Sequence, residues 1–535
     1  MKITRLITAI CLFAAMSAGA QAKDINITPQ PQSITVTRGI CPVDGARLTC
    51  DNAFGEKTAA AVEKFAARLA EATGKTRGGC RINFVQDTGL KPENYTIQVT
   101  RAGIKVSAAD RSGVLYAIET LKQLLPEAIY GTEKNVVADW SIQCCSITDG
   151  PRFAYRGVHL DPCRHFWTIE ETKRYIDVMA TYKMNRLHWH LTEDQGWRIE
   201  IKSLPRLTEV GAWRNGTMVG HDWANDDGIR YGGFYTQEEI KEVIEYADER
   251  GITIIPEVDL PGHMVAALAA YPELACYGGP FEVRKVWGIA NEVLCPGKES
   301  TFEFLEKVLG EVADLFPSEY IHIGGDECPK VKWENCPDCQ ARIKELGLVS
   351  DERGTAEQKL QSYVTARMQA FLATKGKKII GWDEILEGDN LAAGATVMSW
   401  RGTTGGIEAA KKGFDVIMSP YTYCYLDYCQ SREGEKTEPL TIGGFLDLET
   451  IYGYEPYEGM EPGTETHILG PQCNLWTEYI ATPEHLEYML LPRMIGLSEV
   501  AWTRPELKNY ETFVKGIREH QNKVLDAMNY NYRRY

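Results

Sequence analysis

Residues 236–259 read TQEEIKEVIEYADERGITIIPEVD. Thr236, with glutamates two and three residues on, is an N-cap, and Ile240, Val243 and Ala247 follow at helical spacing. The β-rich run Thr253 to Asp259 comes next and ends in acids. The same exchange recurs across the chain. Candidate strands are Arg156 to Asp161, Arg186 to Leu191, Thr253 to Asp259, Tyr320 to Asp326, Lys377 to Trp382, Thr396 to Trp400, Asp415 to Ser419 and Ile468 to Leu475. Helix patterns run from Ile169 to Tyr182, where Thr168 is the N-cap, and over Thr236 to Glu249, Phe302 to Leu315, Ala356 to Thr374 and Ile407 to Lys412. Eight strand-then-helix units over about 350 residues fit an α/β (β/α)8 TIM barrel better than an open doubly wound sheet. No Gly-x-Gly-x-x-Gly fingerprint follows any strand, which weakens a dinucleotide-binding reading.

Before the turn at Asp149-Gly150-Pro151 the pattern is mixed. Ala59 to Ala72 reads as a helix, Asn94 to Ala108 as a hairpin turning at Ala102-Gly103, and Arg111 to Leu125 as a second helix, which together make a small α+β domain. The expected division is a signal peptide over 1–22, an accessory α+β domain over 23–148, a catalytic barrel over 149–510 and a helical tail over 511–535 packed on the barrel. Lys2 and Arg5, the apolar stretch Leu6 to Met16 and Ala20-Gln21-Ala22 form the three regions of a secretory leader, so export with cleavage after Ala22 to the periplasm or medium is expected. That apolar run is too short to span a bilayer, and none longer follows.

The 535 residues are 44% hydrophobic and 25% charged, enough apolar material for a large core. Lys and Arg number 58 against 74 Asp and Glu, a formal charge of −16, which repels nucleic acid and anionic lipid. Fifteen cysteines are compatible with disulfides after export, and Cys276 with Cys295 could close a loop. Cys336-Pro337-Asp338-Cys339, near Cys328, has the spacing of half a zinc site, but no second paired motif or nearby histidine completes it in the sequence. No metal and no cofactor are therefore expected.

In such barrels the active site lies at the C-terminal ends of the strands. There the sequence supplies Asp161 and Arg164-His165, Glu193-Asp194, Glu257, Asp259 and His263, Asp326-Glu327, Trp382-Asp383-Glu384, Trp400-Arg401, Tyr425 and Asp427, and Trp476 and Glu478. Core packing is the ordinary fate of one tryptophan, but several at strand ends beside acids reverse that reading. Aromatic faces pack on the C–H faces of pyranoses while carboxylates and arginine bind hydroxyls. Glycosidic cleavage needs a carboxylic acid for the leaving oxygen. Asp326 and Glu327 can converge only if the strand ends and the backbone turns, as Gly324-Gly325 permits, and their proximity should raise at least one pKa. His188 and His190 share a strand face, as in metal-dependent amidohydrolases, but they fall on the second strand, and strands five and six bring no further histidine ligands. A packed, hydrogen-bonded role inside the barrel is expected of both.

These motifs resemble the exo-acting β-N-acetylhexosaminidases of glycoside hydrolase family 20. The residues that carry the resemblance include Leu160-Asp161, Arg164-His165-Phe166, His188 to Trp197, Pro256 to Asp259, Pro261-Gly262-His263, His322 to Glu327, Gly381 to Glu384, Ser399-Trp400, Tyr425 to Asp427 and Leu475 to Glu478. The resemblance implies that Glu327 is the general acid/base and that Asp326 orients the substrate's 2-acetamido group. The acetamido oxygen is then the nucleophile, and the product retains its configuration. It further implies that Arg164 and Glu478 bind outer hydroxyls, that Trp382, Trp400 and Trp476 wall the acetamide, and that Tyr425 bonds the acetamido oxygen and Asp427 a hydroxyl. His263 pairs with the acid at Glu193, where the family more usually has Asp. The expected partner is a glycan ending in a β-linked GlcNAc or GalNAc; a homodimer is compatible with the sequence. The rivals are a relative releasing a disaccharide and a sugar-binding protein that has lost catalysis.

Overall fold

The computed structural model describes residues 25–388 and 390–535, so the leader expected over 1–22 lies outside the described residues. Eight parallel strands close into a barrel: β1 (Gly157–Leu160), β2 (Arg186–His190), β3 (Thr253–Glu257), β4 (Tyr320–His322), β5 (Lys378–Trp382), β6 (Thr396–Ser399), β7 (Asp415–Met418) and β8 (Ile468–Cys473). They pair in chain order, and β8 returns to β1. All eight lie within the expected runs. The helices Ile169–Thr181 and Gln237–Glu249 start at Thr168 and Thr236, each with a reciprocal capping box to Glu171 and Glu239 that satisfies otherwise orphaned N–H groups.

The fourth strand is shorter than the sequence suggests, ending at His322 rather than Asp326. Gly324 and Gly325 take φ of +61° and +100°, which breaks the ladder and turns the chain. A Cβ at Gly324 would lie 1.8 Å from Asp259 Oδ1, so only glycine fits there.

Preceding the barrel, a six-stranded mixed sheet packs helices Glu56–Thr73 and Arg111–Gln123 on one core. The hairpin of Tyr95–Thr100 and Gly103–Ala108 is antiparallel, as expected. A buried polar cluster joins this sheet to the barrel. Asp149, ending a sheet strand, accepts hydrogen bonds from Lys183 Nζ (3.0 Å), Tyr95 OH (2.5 Å) and Trp502 Nε1 (2.8 Å). Lys183 is fully buried and its ammonium lies 4.5 Å from the centre of the Trp502 ring. At the C-terminus, the helical turns Tyr510–Gly516, Ile517–Gln521 and Asn522–Ala527 lie against the barrel; Gln521 accepts from Tyr182 OH, and Tyr530 OH donates to the Arg174 carbonyl.

One expectation fails. Cys276 and Cys295 do not bridge: both are free, and their Sγ atoms approach Cys339 at 3.8 and 3.5 Å. Among the described residues no helix is long and apolar enough to cross a membrane.

Removing one partner of a buried pair leaves an uncompensated charge. Lys183→Ala is expected to destabilise the chain by about 3–5 kcal/mol in denaturant titration. Lys57→Ala, which breaks the exposed pair with Asp248, should cost at most about 1 kcal/mol.

Candidate active site

A cavity of about 600 Å³ opens at the C-terminal ends of the strands. Asp326, Glu327, His263, Arg164, Trp382, Trp400, Tyr425, Asp427, Trp476 and Glu478 all line it. The one remaining expected site residue, Glu193, lies behind the wall, fully buried.

Beneath the cavity sits Glu257, at the end of β3. Its carboxylate accepts from His190 Nδ1 at 2.5 Å and from Trp382 Nε1 at 3.0 Å, while His188 Nε2 and His322 Nδ1 lie 2.9 and 3.1 Å away. Burial opposes ionisation here, but the surrounding histidines outweigh it and hold the Glu257 carboxyl well below the usual range. His188 and His190 are thus packed and bonded within the barrel, as their strand position suggested. They differ in charge: burial pushes the His188 imidazole down to about 4, whereas Glu257 and Glu193 overcome burial and raise His190 well above its ordinary value.

From this hub the contacts run outward. His190 Nε2 lies 3.3 Å from Glu193 Oε2, and that same oxygen is 3.0 Å from Arg164 Nη2. The other oxygen, Oε1, accepts from the Asp194 amide and from His263 Nδ1, both at 2.8 Å. A glutamate at this position therefore reaches His263 at full hydrogen-bonding distance. Arg164 and His263 overcome the burial penalty and keep the Glu193 carboxyl well below its usual range. His263, buried beside that anion, is raised well above the ordinary histidine value. Its Nε2 faces the cavity floor, 3.6 Å from Glu327 Oε2 and 3.8 Å from Asp326 Oδ2.

The glycine turn brings the two acids together with different surroundings. The Gly325 amide donates to Asp259 Oδ1 at 3.0 Å, and its carbonyl accepts from Gln361 Nε2 at 2.7 Å. Glu327 itself takes φ of +47°, a conformation that non-glycine residues adopt only when their surroundings impose it. Its side chain is 35% exposed against 14% for Asp326, so Glu327 is the more accessible of the two acids. Burial and then Asp259 push the Asp326 carboxyl well above its usual value. The acid raised here is Asp326, and the neighbour that contributes most is Asp259 rather than Glu327.

Around these acids stand aromatic walls. Trp400 stacks on Tyr425 at 6.2 Å, and Trp476 lies 5.9 Å from Trp382 and 6.5 Å from Tyr425. Trp400 is fixed by its Nε1 donating to Glu384 Oε2. Arg164, 4.9 Å above Trp476, is oriented by Asp161, Gln195 and Glu193, and Glu478 lies 3.9 Å from it. Asp326 Oδ1 and Asp427 Oδ1 are buried without a protein partner, and both residues line the cavity. Buried acceptors of this kind are costly unless something bonds them, and a polyhydroxylated amide is a ligand that would.

The sequence profile described as "Glycosyl hydrolase family 20, catalytic domain" matches residues 153–505, and that of "Glycosyl hydrolase family 20, domain 2" matches residues 24–150. The chain belongs to glycosyl hydrolase family 20. It is similar to the beta-hexosaminidase of Porphyromonas gingivalis, 42% identical over 95% of this chain, and spans 65% of that relative's length. Its identity to the beta-hexosaminidase of Vibrio furnissii is 37%, covering 89% of this chain and 76% of the relative. Among solved family 20 structures, the exo β-N-acetylglucosaminidase of Vibrio harveyi in complex with N-acetylglucosamine superposes with a TM-score of 0.82 at 34% identity, covering 95% of this chain and 78% of that one.

Several cavity residues went unread in the sequence. His221, Trp223, Trp287, Ile289 and Tyr479 form one side of the mouth, and Tyr428 and Ile442 another. All but Tyr479, which follows β8, come from long excursions between strands, including the exposed strand Asp222–Asp226, whose position no periodicity announces. The only signal available was the density of aromatics in those loops.

Glu193→Gln removes the anion 2.8 Å from His263 Nδ1. Because that anion favours the imidazolium, the His263 midpoint is expected to fall. The proton would then be lost at lower pH than in the parent chain, which a histidine-selective NMR titration of both proteins would show.

Proposed function

We propose that this protein is an exo-acting β-N-acetylhexosaminidase that removes terminal β-linked GlcNAc or GalNAc from glycans with retention, the substrate's own acetamide serving as nucleophile. The observation that carries this reading is the pairing of a buried acid, Asp326, with a more exposed one, Glu327, inside an aromatic-walled pocket. Family membership and the named relatives support it.

In the first step the acetamido oxygen attacks the anomeric carbon, and the glycosidic bond breaks as Glu327 delivers its proton to the leaving oxygen. A cyclic oxazolinium forms, its positive charge partly on nitrogen. Asp326 accepts the acetamide N–H, and the contact strengthens as that charge develops, so the site favours the transition state over the ground state. Tethered attack contributes effective molarity that a free nucleophile lacks. In the second step Glu327 takes a proton from water, which opens the ring from the other face and restores the original anomer. Substrate-assisted hydrolysis of this kind departs from the usual two-carboxylate scheme.

The remaining roles are those that the family resemblance implies. Tyr425 donates to the acetamido oxygen, and Trp382, Trp400 and Trp476 close around the acetamide and exclude water. Arg164, Glu478 and Asp427 bind the outer hydroxyls. His263, held by Glu193, positions the acid pair electrostatically from 3.6–3.8 Å. We also assign the chain to the exported fraction on its N-terminal composition, with a division into leader, accessory domain, barrel and tail. N-terminal sequencing of the mature protein should begin at Lys23.

The mechanism is tested with aryl β-glycosides that differ at C2. Glu327→Gln should lower kcat by roughly 100- to 10,000-fold on poor leaving groups. Asp326→Ala should reduce turnover of the N-acetylated substrate selectively. NMR should detect the first-formed sugar as the β anomer; an α product, or equal turnover of a substrate without the N-acyl group, would overturn the reading.

A further inference from the structure

Outside the sugar cavity, two loops at the rim of the barrel bring four thiols together. Cys276 follows the turn Pro272–Leu274, and Cys295 sits just past the bridge between Ala275 and Leu294; both belong to the excursion after β3. Cys336 and Cys339 come from the excursion after β4, where Cys336 is the N-cap and Cys339 lies in the first turn of the helix Pro337–Leu346. The sulfur atoms of all four lie within 4.8 Å of one another. The separations are 3.5 Å for Cys295–Cys339, 3.7 Å for Cys295–Cys336 and 3.8 Å for Cys276–Cys339.

Those distances distinguish the two chemistries open to such a cluster. A disulfide places its sulfurs about 2.0 Å apart and selects one partner for each. Here Cys295 is nearly equidistant from two sulfurs, and so is Cys339. Four thiolates bonded to one zinc ion at about 2.3 Å define a tetrahedron with edges of about 3.8 Å. We propose that Cys276, Cys295, Cys336 and Cys339 bind one zinc ion in a structural, four-thiolate site that ties the loop after β3 to the loop after β4.

The donor set suits a soft, tetrahedral cation with no open position, which makes the centre structural rather than catalytic. Binding releases the thiol protons to solvent and leaves a net negative complex. The N-terminus of the helix Pro337–Leu346 faces that charge. Val293, Trp333, Ile343 and Leu360 pack around the sulfurs, and Trp333 Nε1 donates to the Leu294 carbonyl, a second tie between the same loops. Cys276 alone is partly exposed; it borders a small cavity of about 80 Å³ with Tyr277, Phe281 and Lys332, an entry route for the ion. The sequence hid the set because one half is a close pair and the other half two cysteines separated by a long loop.

The site bears on the catalytic residues through the chain. The Leu294 amide donates to the Pro261 carbonyl at 3.0 Å, two residues before His263, and the loop after β4 carries Asp326 and Glu327. The ion would fix both loops without touching substrate.

The test uses the full chain purified without a metal-affinity step. Elemental analysis is expected to find about one zinc per chain, and X-ray absorption to find only sulfur neighbours at about 2.3 Å. The double variant Cys336→Ser, Cys339→Ser should lose the zinc, whereas Cys424→Ser, at a buried cysteine outside the cluster, should keep it. If the double variant does not fold, the absorption spectrum of the parent chain decides. Disulfides among the four cysteines on peptide mapping, four free thiols without metal, or nitrogen and oxygen ligands around the zinc would each overturn the proposal.

Discussion

The charge of Glu257 is the constraint on which the mouth of the barrel depends. A carboxylate buried this deeply persists only where donors and cations surround it. Meeting that requirement places His188 and His190 on β2, His322 on β4 and Trp382 on β5 around one point. The register makes this possible, since β2 pairs His190 with Glu257 and β4 pairs His322 with the same residue. Trp382, whose one N–H is taken up by Glu257, stands as a fixed wall.

The order propagates through His190. Because its two ring nitrogens face two carboxylates, it is held as an imidazolium and links Glu257 to Glu193. Glu193 in turn holds His263 on one oxygen and Arg164 on the other. His263 and Arg164, the latter lying over the Trp476 ring, thus share one anion. The longer arm of glutamate at position 193, which the sequence marked as a departure, places its Oε1 2.8 Å from His263 Nδ1.

What could be read from the sequence follows from how local the physics is. The barrel strands and capping threonines are local patterns, and the acids and aromatics at strand ends inherit their placement from the barrel, so ten of the residues that line the cavity were legible. The end of β4 was misjudged by four residues because apolar periodicity does not register the positive φ of two glycines. The loop residues Trp223, Trp287 and Tyr479 and the meeting of Cys276 and Cys295 with Cys336 and Cys339 were not legible. They depend on where long excursions return, which only tertiary packing decides.

Since the ladder stops at His322, the acid pair is not held by its own strand. Its backbone is gripped instead from outside, by Asp259 on one side of Gly325 and by Gln361, from the helix Ala356–Thr374, on the other. On the proposed mechanism, the aim of the proton donor is therefore delegated to an element of the outer ring that does not line the cavity. A change at Gln361 would then shift that aim while leaving every group that lines the pocket as it is.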